Sequence, residues 1–446
     1  MKLFATTFVI VVLIASCQKE ADVDRLGEVD FSRPAAIGGR MMAGYHNGAL
    51  YPQGQQKAIP QLLFDQIEQY GAGTLETPVM TKEEGIGINP KSWTSTFQSR
   101  SKLKMSKDCE GEESLGPVKS LYQSTTFSDL EHHSSNINEQ YQCAPFATLD
   151  RMLDPSFGVS YANGNPYPFY HRMAKDPGNS TMMGELMNYD PTFIVSWFGM
   201  EEVLTYAQTG GTDNTLMDPV VFEERLDSVL SIMAQDGTKG VLLNIPDVKQ
   251  LPYFQLVAYN GADLDQSQAE GLNSLYSSSN AGHIKFKEGK NAFICDDPEA
   301  PQDIRQLKNG ELLTLTVPLD SMKCELYGLL GSYFKDQYYL SLEEVSQIDE
   351  AILTYNNILE KLAAQYDFAL FDAHTYFQTI EDGVVWNGAD YTFEFVSGGF
   401  VSLDGIYPNQ KGNVLLTNEI IRSINSYYGT QIPNVNCLDC DGVLFP

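Results

Sequence analysis

Positive charge is what this chain has least of: 29 Lys and Arg stand against 58 Asp and Glu, a formal net charge of -29. That balance argues against binding nucleic acid or the anionic face of a bilayer, since both require clustered basic side chains. It favours solubility in a salty exterior and cationic ligands or partners, without identifying one. Histidine is also scarce, with six in 446 residues. No H-E-x-x-H, no P-loop and no paired metal-ligand spacing occurs, so the sequence assigns no metal and no cofactor. Repeats of solenoid period are missing as well.

Long apolar runs are absent except at the start. Leu3 to Leu13 is mostly apolar, is preceded by Lys2, and leads into Ile14-Ala15-Ser16-Cys17. Too short to span a bilayer and too early for a core helix, residues 1–16 read as a signal peptide. The small residue just before Cys17 resembles the lipobox of bacterial lipoproteins. That resemblance implies that Cys17 becomes lipidated, holding the protein on the outer membrane by an anchor rather than a span. Residues 17–30 form an acidic tether beginning Gln18-Lys19-Glu20-Ala21-Asp22. Acidic residues there resemble the surface-export signals of Bacteroidota lipoproteins, which would place the protein on the cell surface. The same stretch reads equally well as a solvated linker, with the periplasmic face as the alternative.

After the tether, 43% hydrophobic and 11% aromatic content is ample for a packed core. Strands are expected at Phe31 to Gly38, Asp190 to Trp197, Gly240 to Ile245 and Phe368 to Phe371. Helices are expected at Ile59 to Tyr70, Val220 to Gln235, Leu342 to Tyr366 and Asn413 to Tyr428, the last closed by Gly429. Leu312 to Val317 is a further apolar run. Strands alternating with long helices predict an α/β fold with a mostly parallel sheet covered on both faces. The single domain is read as 31–433, with insertions near 81–139, which is polar and irregular, and near 261–323; residues 434–446 form a tail. Besides Cys17, six cysteines remain, and sequence cannot choose their pairing. Cys437 and Cys440 have redox-motif spacing, but their place in the tail suits a staple or free thiols better.

In such sheets, sites form where strands end at their carboxyl edge. Three of those ends carry a family resemblance. Ala36-Ile37-Gly38-Gly39-Arg40-Met41-Met42-Ala43-Gly44-Tyr45 resembles the first block of the SGNH/GDSL hydrolases, closest to a Bacteroidota lipoprotein branch reading G-N-S-L-T-A-G-Y. Trp197-Phe198-Gly199-Met200-Glu201-Glu202 resembles the third block, W-x-G-N-N-D. Ser402-Leu403-Asp404-Gly405-Ile406-Tyr407-Pro408 resembles the last, S-L-D-G-x-H-P. Ala144-Pro145-Phe146-Ala147 stands where the second has V-P-G-A, and Gly240 to Val248 with Pro252-Tyr253-Phe254 resembles a further signature of the branch. The resemblance implies a flavodoxin-like three-layer sandwich.

Family chemistry needs a serine nucleophile, a histidine base oriented by an aspartate, and an oxyanion hole of two backbone N–H groups and an asparagine. Here the serine position is Arg40, the glycine position Phe146, the asparagine position Glu201 and the histidine position Tyr407; only Asp404 is retained. A guanidinium is no nucleophile, a carboxylate repels an oxyanion, and a phenol is a poor base near neutral pH. No serine lies between Arg33 and Ser92 to stand in, while His46, His171 and His374 are the histidines that could reach the cleft. The expectation is a pseudoenzyme, with Arg40, Glu201, Glu202, Asp404 and Tyr407 lining the altered cleft. Arg40 then either plugs the old pocket, paired to Glu201 or Asp404, or binds an anionic or sugar-like ligand.

Three functions follow from that expectation. One is an outer-membrane interaction module or accessory subunit, with a β-barrel protein as partner. The others are a glycan- or lipid-binding protein and a residual esterase. The anchor is tested by Cys17→Ala, which should release the protein from the membrane fraction or leave it unprocessed. Full retention in outer membranes would place the anchor elsewhere.

Overall fold

The computed structural model describes residues 25–88, 97–213 and 215–446, so the expected signal peptide and Cys17 fall outside it. Among the described residues, no helix is long and apolar enough to cross a membrane.

Five strands build the central sheet: β1 (Pro34–Gly38), β2 (Tyr141–Cys143), β3 (Phe193–Trp197), β4 (Lys239–Leu243) and β5 (Ala369–Phe371). Their order is β5-β4-β3-β1-β2 and every pairing is parallel. Register follows from burial, with Ile37 opposite Ser196 and Val195 opposite Val241. All five residues of β1 and of β3 are buried, which is why they read as continuous apolar runs. The sequence did not reveal β2. It is a three-residue edge strand behind a polar stretch, too short to show a period.

Besides four short helices of four to six residues, the helices are α1 (Arg40–Ala43), α2 (Ile59–Glu68), α3 (Met182–Asn188), α4 (Met200–Gln208), α5 (Pro219–Met233), α6 (Gln266–Ser278), α7 (Leu342–Gln365), α8 (Ala373–Asp382) and α9 (Gln410–Tyr428) among the described residues. Ser341 and Glu344 form a capping box at the start of α7, whose Ile348, Ile352, Tyr355, Leu359 and Leu362 make one buried stripe. Tyr355 stacks on Phe222 of α5 with ring centroids 4.1 Å apart. The right-handed rule for parallel crossovers predicts that the β1-to-β2 connection covers one face and the returning connections the other. The packing agrees: α2 lies against α9, while α3, α5 and α7 pack together. The architecture is α/β around an all-parallel sheet, compatible with three layers.

Two excursions leave this body. Residues 262–339 carry their own apolar cluster, including Leu272, Tyr276, Phe286, Ile294 and Phe334. It reaches Tyr339, beyond the end expected at 323. Leu312–Leu313 pairs with Tyr339–Leu340 there, so the run from Leu312 is no strand of the central sheet: Leu313 and Val317 join this cluster, while Leu312 and Leu315 pack against the main core. Within 81–139, expected to be irregular, Lys102–Lys107 and Glu113–Val118 form an antiparallel ribbon. Both its faces are largely in water, so the alternation that betrays a strand is lacking.

A disulfide between Cys109 and Cys324, with Cα atoms 6.3 Å apart, ties the ribbon's turn to the second cluster. Beside it Lys323 Nζ lies 2.5 Å from Asp108, 3.1 Å from Glu112 and 3.2 Å from Glu110. Those three carboxylates converge closely enough for a metal ion, but an ammonium already sits among them. In the unreduced protein Cys109 and Cys324 should therefore resist alkylation, as read by peptide mass. Reduction should lower the melting temperature, since a bridge spanning 215 residues is worth up to about 5 kcal/mol in the chain-entropy account. Labelling of both thiols without reductant would refute the link.

Candidate functional site

Strand order reverses at β1: the chain steps from β1 to β2 on one side and returns to β3 on the other. The carboxyl ends of β1 and β3 therefore splay apart at a switch point, where ligands of parallel sheets usually bind. Gly38 is paired with Trp197 at that end. Beyond it, Gly39 turns the chain into α1, whose first residue is Arg40, and Gly199 at φ +81° starts α4. A Cβ on Gly39 would collide with the Glu201 carboxylate, so the absence of a side chain there lets α4 close against β1.

Arg40 fills the crevice and is 2% exposed. Its backbone N–H donates to Glu201 Oε2 at 2.8 Å and its Nε to Glu201 Oε1 at 2.5 Å. Nη1 donates to Gln208 Oε1 at 2.6 Å and Nη2 to Thr205 Oγ1 at 3.0 Å. Glu201, Thr205 and Gln208 are four and three residues apart, so one face of α4 supplies all three acceptors. Burial alone would push the guanidinium's pKa down, but Glu201 together with Tyr407 and Tyr45 more than offsets it, and the net direction is up. This group is charged and satisfied.

Aromatic rings close the remaining sides. The guanidinium carbon lies 4.3 Å from the Phe146 ring centre and 5.5 Å from that of Tyr407. Phe146 also stacks on Tyr167 at 4.6 Å, and Tyr45 meets Tyr407 edge-on at 5.4 Å. Phe146 adopts φ +68°, a left-handed backbone that glycine reaches most easily. The Tyr407 hydroxyl is buried with no hydrogen-bond partner among the described residues. Burial raises its pKa well above the ordinary phenol value.

Asp404 takes no part in holding Arg40. It accepts from the N–H groups of Gly48 at 2.8 Å and of Ile406 and Tyr407 at 2.9 Å, which fixes the loop before α9. Of the two acids expected beside Arg40, only Glu201 pairs with it. Glu202 points to other partners. One oxygen accepts from Leu149 N–H at 2.5 Å, and the other is buried without a partner among the described residues.

The chain matches no protein-family model, and no curated protein or solved structure is significantly similar to it. The site therefore rests on its own geometry.

That geometry gathers Arg40, Glu201, Phe146 and Tyr407 as the sequence suggested. It adds Thr205, Gln208, Tyr45 and Tyr167, which sequence reasoning missed. The first two carry a readable signal, because they continue the face begun by Glu201; the tyrosines carry none. None of the three candidate histidines is a partner of Arg40. His46 packs against Tyr51, where burial pushes it down to about 3. His171 bonds the Gly158 carbonyl at 2.8 Å, and His374 lies beyond the ends of β4 and β5.

Burial pushes the Glu202 carboxyl up to about 7, only partly opposed by the Leu149 N–H. In the unfolded chain it ionises near ~4.3. Between those values the unfolded chain releases a proton that the folded chain keeps. Its contribution is thus fully present at low pH and is lost as pH rises through the window, at most about 4 kcal/mol. Melting temperatures from pH 4 to 8 should fall more steeply for the parent than for Glu202→Gln. Parallel curves would show that Glu202 does not titrate there.

Proposed function

We propose that this chain is a non-catalytic relative of the SGNH hydrolases, anchored through Cys17 at the outer membrane and acting as an interaction module or accessory subunit. The observation that carries the reading is the Arg40–Glu201 pair closing the switch point. On this reading, the carboxylate and guanidinium bound to each other stand where that family would attack an ester. The strand order, equivalent to 2-1-3-4-5, supports the proposed family because it is the flavodoxin-like order. Phe146 adds support, since its left-handed backbone suits the glycine that the family has at that position. The ribbon at 102–118 and the excursion at 262–339 offer surface outside the sheet for a protein partner, for which an outer-membrane barrel is the proposal.

Hydrolase chemistry is the part that can be struck down directly. A fluorophosphonate label, run beside a short-chain ester assay, should leave the purified protein unmodified. In a comparable serine-hydrolase site, loss of the nucleophile alone costs about six powers of ten in turnover. Arg40→Ser should stay inactive as well, and should lose about 3–5 kcal/mol because Glu201 is left buried without its cation. Stoichiometric labelling mapped to a single serine would end this reading.

A further inference from the structure

With the switch point filled, the carboxyl edge of the sheet opens elsewhere. Beyond the ends of β4 and β5, against α7 and α8, lies a cleft of about 450 Å³. That volume suits a small ligand or one side chain of a partner.

The walls are prebuilt. Asn356 brackets Ile245, accepting from its N–H at 2.7 Å and donating to its carbonyl at 2.8 Å. Asn244 donates to Asp372 at 2.8 Å and accepts from the His374 N–H at 2.8 Å. The Asn244 carbonyl in turn receives the Trp197 indole N–H at 3.0 Å. Asp372 caps α8 through Thr375, whose hydroxyl donates to its other oxygen at 2.6 Å. Both amides and the threonine hydroxyl are thus spent on the frame.

What remains free is of one kind. Lys249 binds both Asp247 and Asp349, using one oxygen of each and leaving the second as an acceptor. With Asp372, the lining holds three carboxylates and no Lys or Arg, and the adjacent Lys249 pairs with only two of them, so the cleft carries net negative charge. His374 Nδ1 lies 3.1 Å from the Ile245 carbonyl, which requires that nitrogen to carry the proton, and Nε2 lies 3.4 Å from Gln378 Nε2 as the acceptor of that amide. The Asn244 and Asn356 amides and the Thr375 hydroxyl each donate within the frame, and the charged groups lining the cleft are carboxylates. One wall is aliphatic: Ile352 is buried, but Leu353 is 65% exposed. A site that is negative and greasy on one side is complementary to one ligand class.

We infer that this cleft binds an organic cation, an ammonium or guanidinium carried on an aliphatic stem. The head would donate to Asp372 and Asp349 while the stem lies along Ile352 and Leu353. A free polyamine and a Lys or Arg side chain of a partner share this chemistry. The inference does not depend on the proposed family.

Calorimetry on the purified full chain in mild detergent at low salt tests it, with spermidine in one arm and a short peptide holding a single lysine in the other. Saturable binding of at least one probe is expected, and the tighter one identifies the source. Asp372→Asn should weaken binding about tenfold, the worth of a charge-assisted hydrogen bond. Asparagine caps a helix as well as aspartate, so α8 should remain folded. Leu353→Ser, at an exposed position, should weaken spermidine a few-fold. Glu223→Gln, in the separate acidic groove between α5 and α7, should change nothing. Absence of heat from both probes, undiminished binding to Asp372→Asn, or equal weakening by Glu223→Gln would each overturn the assignment. So would displacement of spermidine by equimolar Mg²⁺, which would mark an inorganic cation site.

Discussion

Taking a guanidinium out of water at the end of β1 is costly unless its donors are met, and that requirement organises the centre of this protein. Glu201 meets it twice, from the backbone and from the side chain of Arg40, and can do so because Gly39 offers no Cβ. Thr205 and Gln208 complete the set from the same helix face. The consequence is mechanical as well as electrostatic: α4 is fastened to the first turn of α1 across the splayed end of the sheet. Phe146 and Tyr407 then cover the guanidinium with ring faces. Their own neighbours, Tyr167 and Tyr45, extend the filling outward.

A filled switch point changes what the rest of the carboxyl edge can do. In a parallel sheet every strand ends at that edge, so the loops there form a row of potential sites. Closing the position between β1 and β3 leaves the one beyond β4 and β5, framed by Asn244, Asn356 and Asp372. The two places are linked by Trp197, which ends β3 and bonds the Asn244 carbonyl at the end of β4. The electrostatics of the two differ in kind. At Arg40 the charges are matched internally, whereas the second cleft holds more carboxylates than cations.

The excursions follow another logic. Residues 262–339 bury enough apolar surface to form a small core of their own, while the ribbon at 102–118 buries little. A two-stranded ribbon is marginal by itself. Its turn is fastened by the Cys109–Cys324 disulfide and by three carboxylates around Lys323, so its position depends on a distant part of the chain.

The sequence by itself determined the long elements. Buried strands such as Phe193–Trp197 show as apolar runs, and α7 shows as a stripe behind Ser341, because period and capping are local properties. It also brought Arg40, Glu201, Phe146 and Tyr407 together through motif order. Tertiary structure decided what no local pattern encodes. It placed the short edge strand at Tyr141, carried the second core on to Tyr339, and chose the Cys109–Cys324 pairing. It also chose between two acids for Arg40. Asp404 had three backbone N–H groups within reach and was spent on its own loop, whereas Glu201, at the start of α4 and facing a glycine, was left to meet the guanidinium.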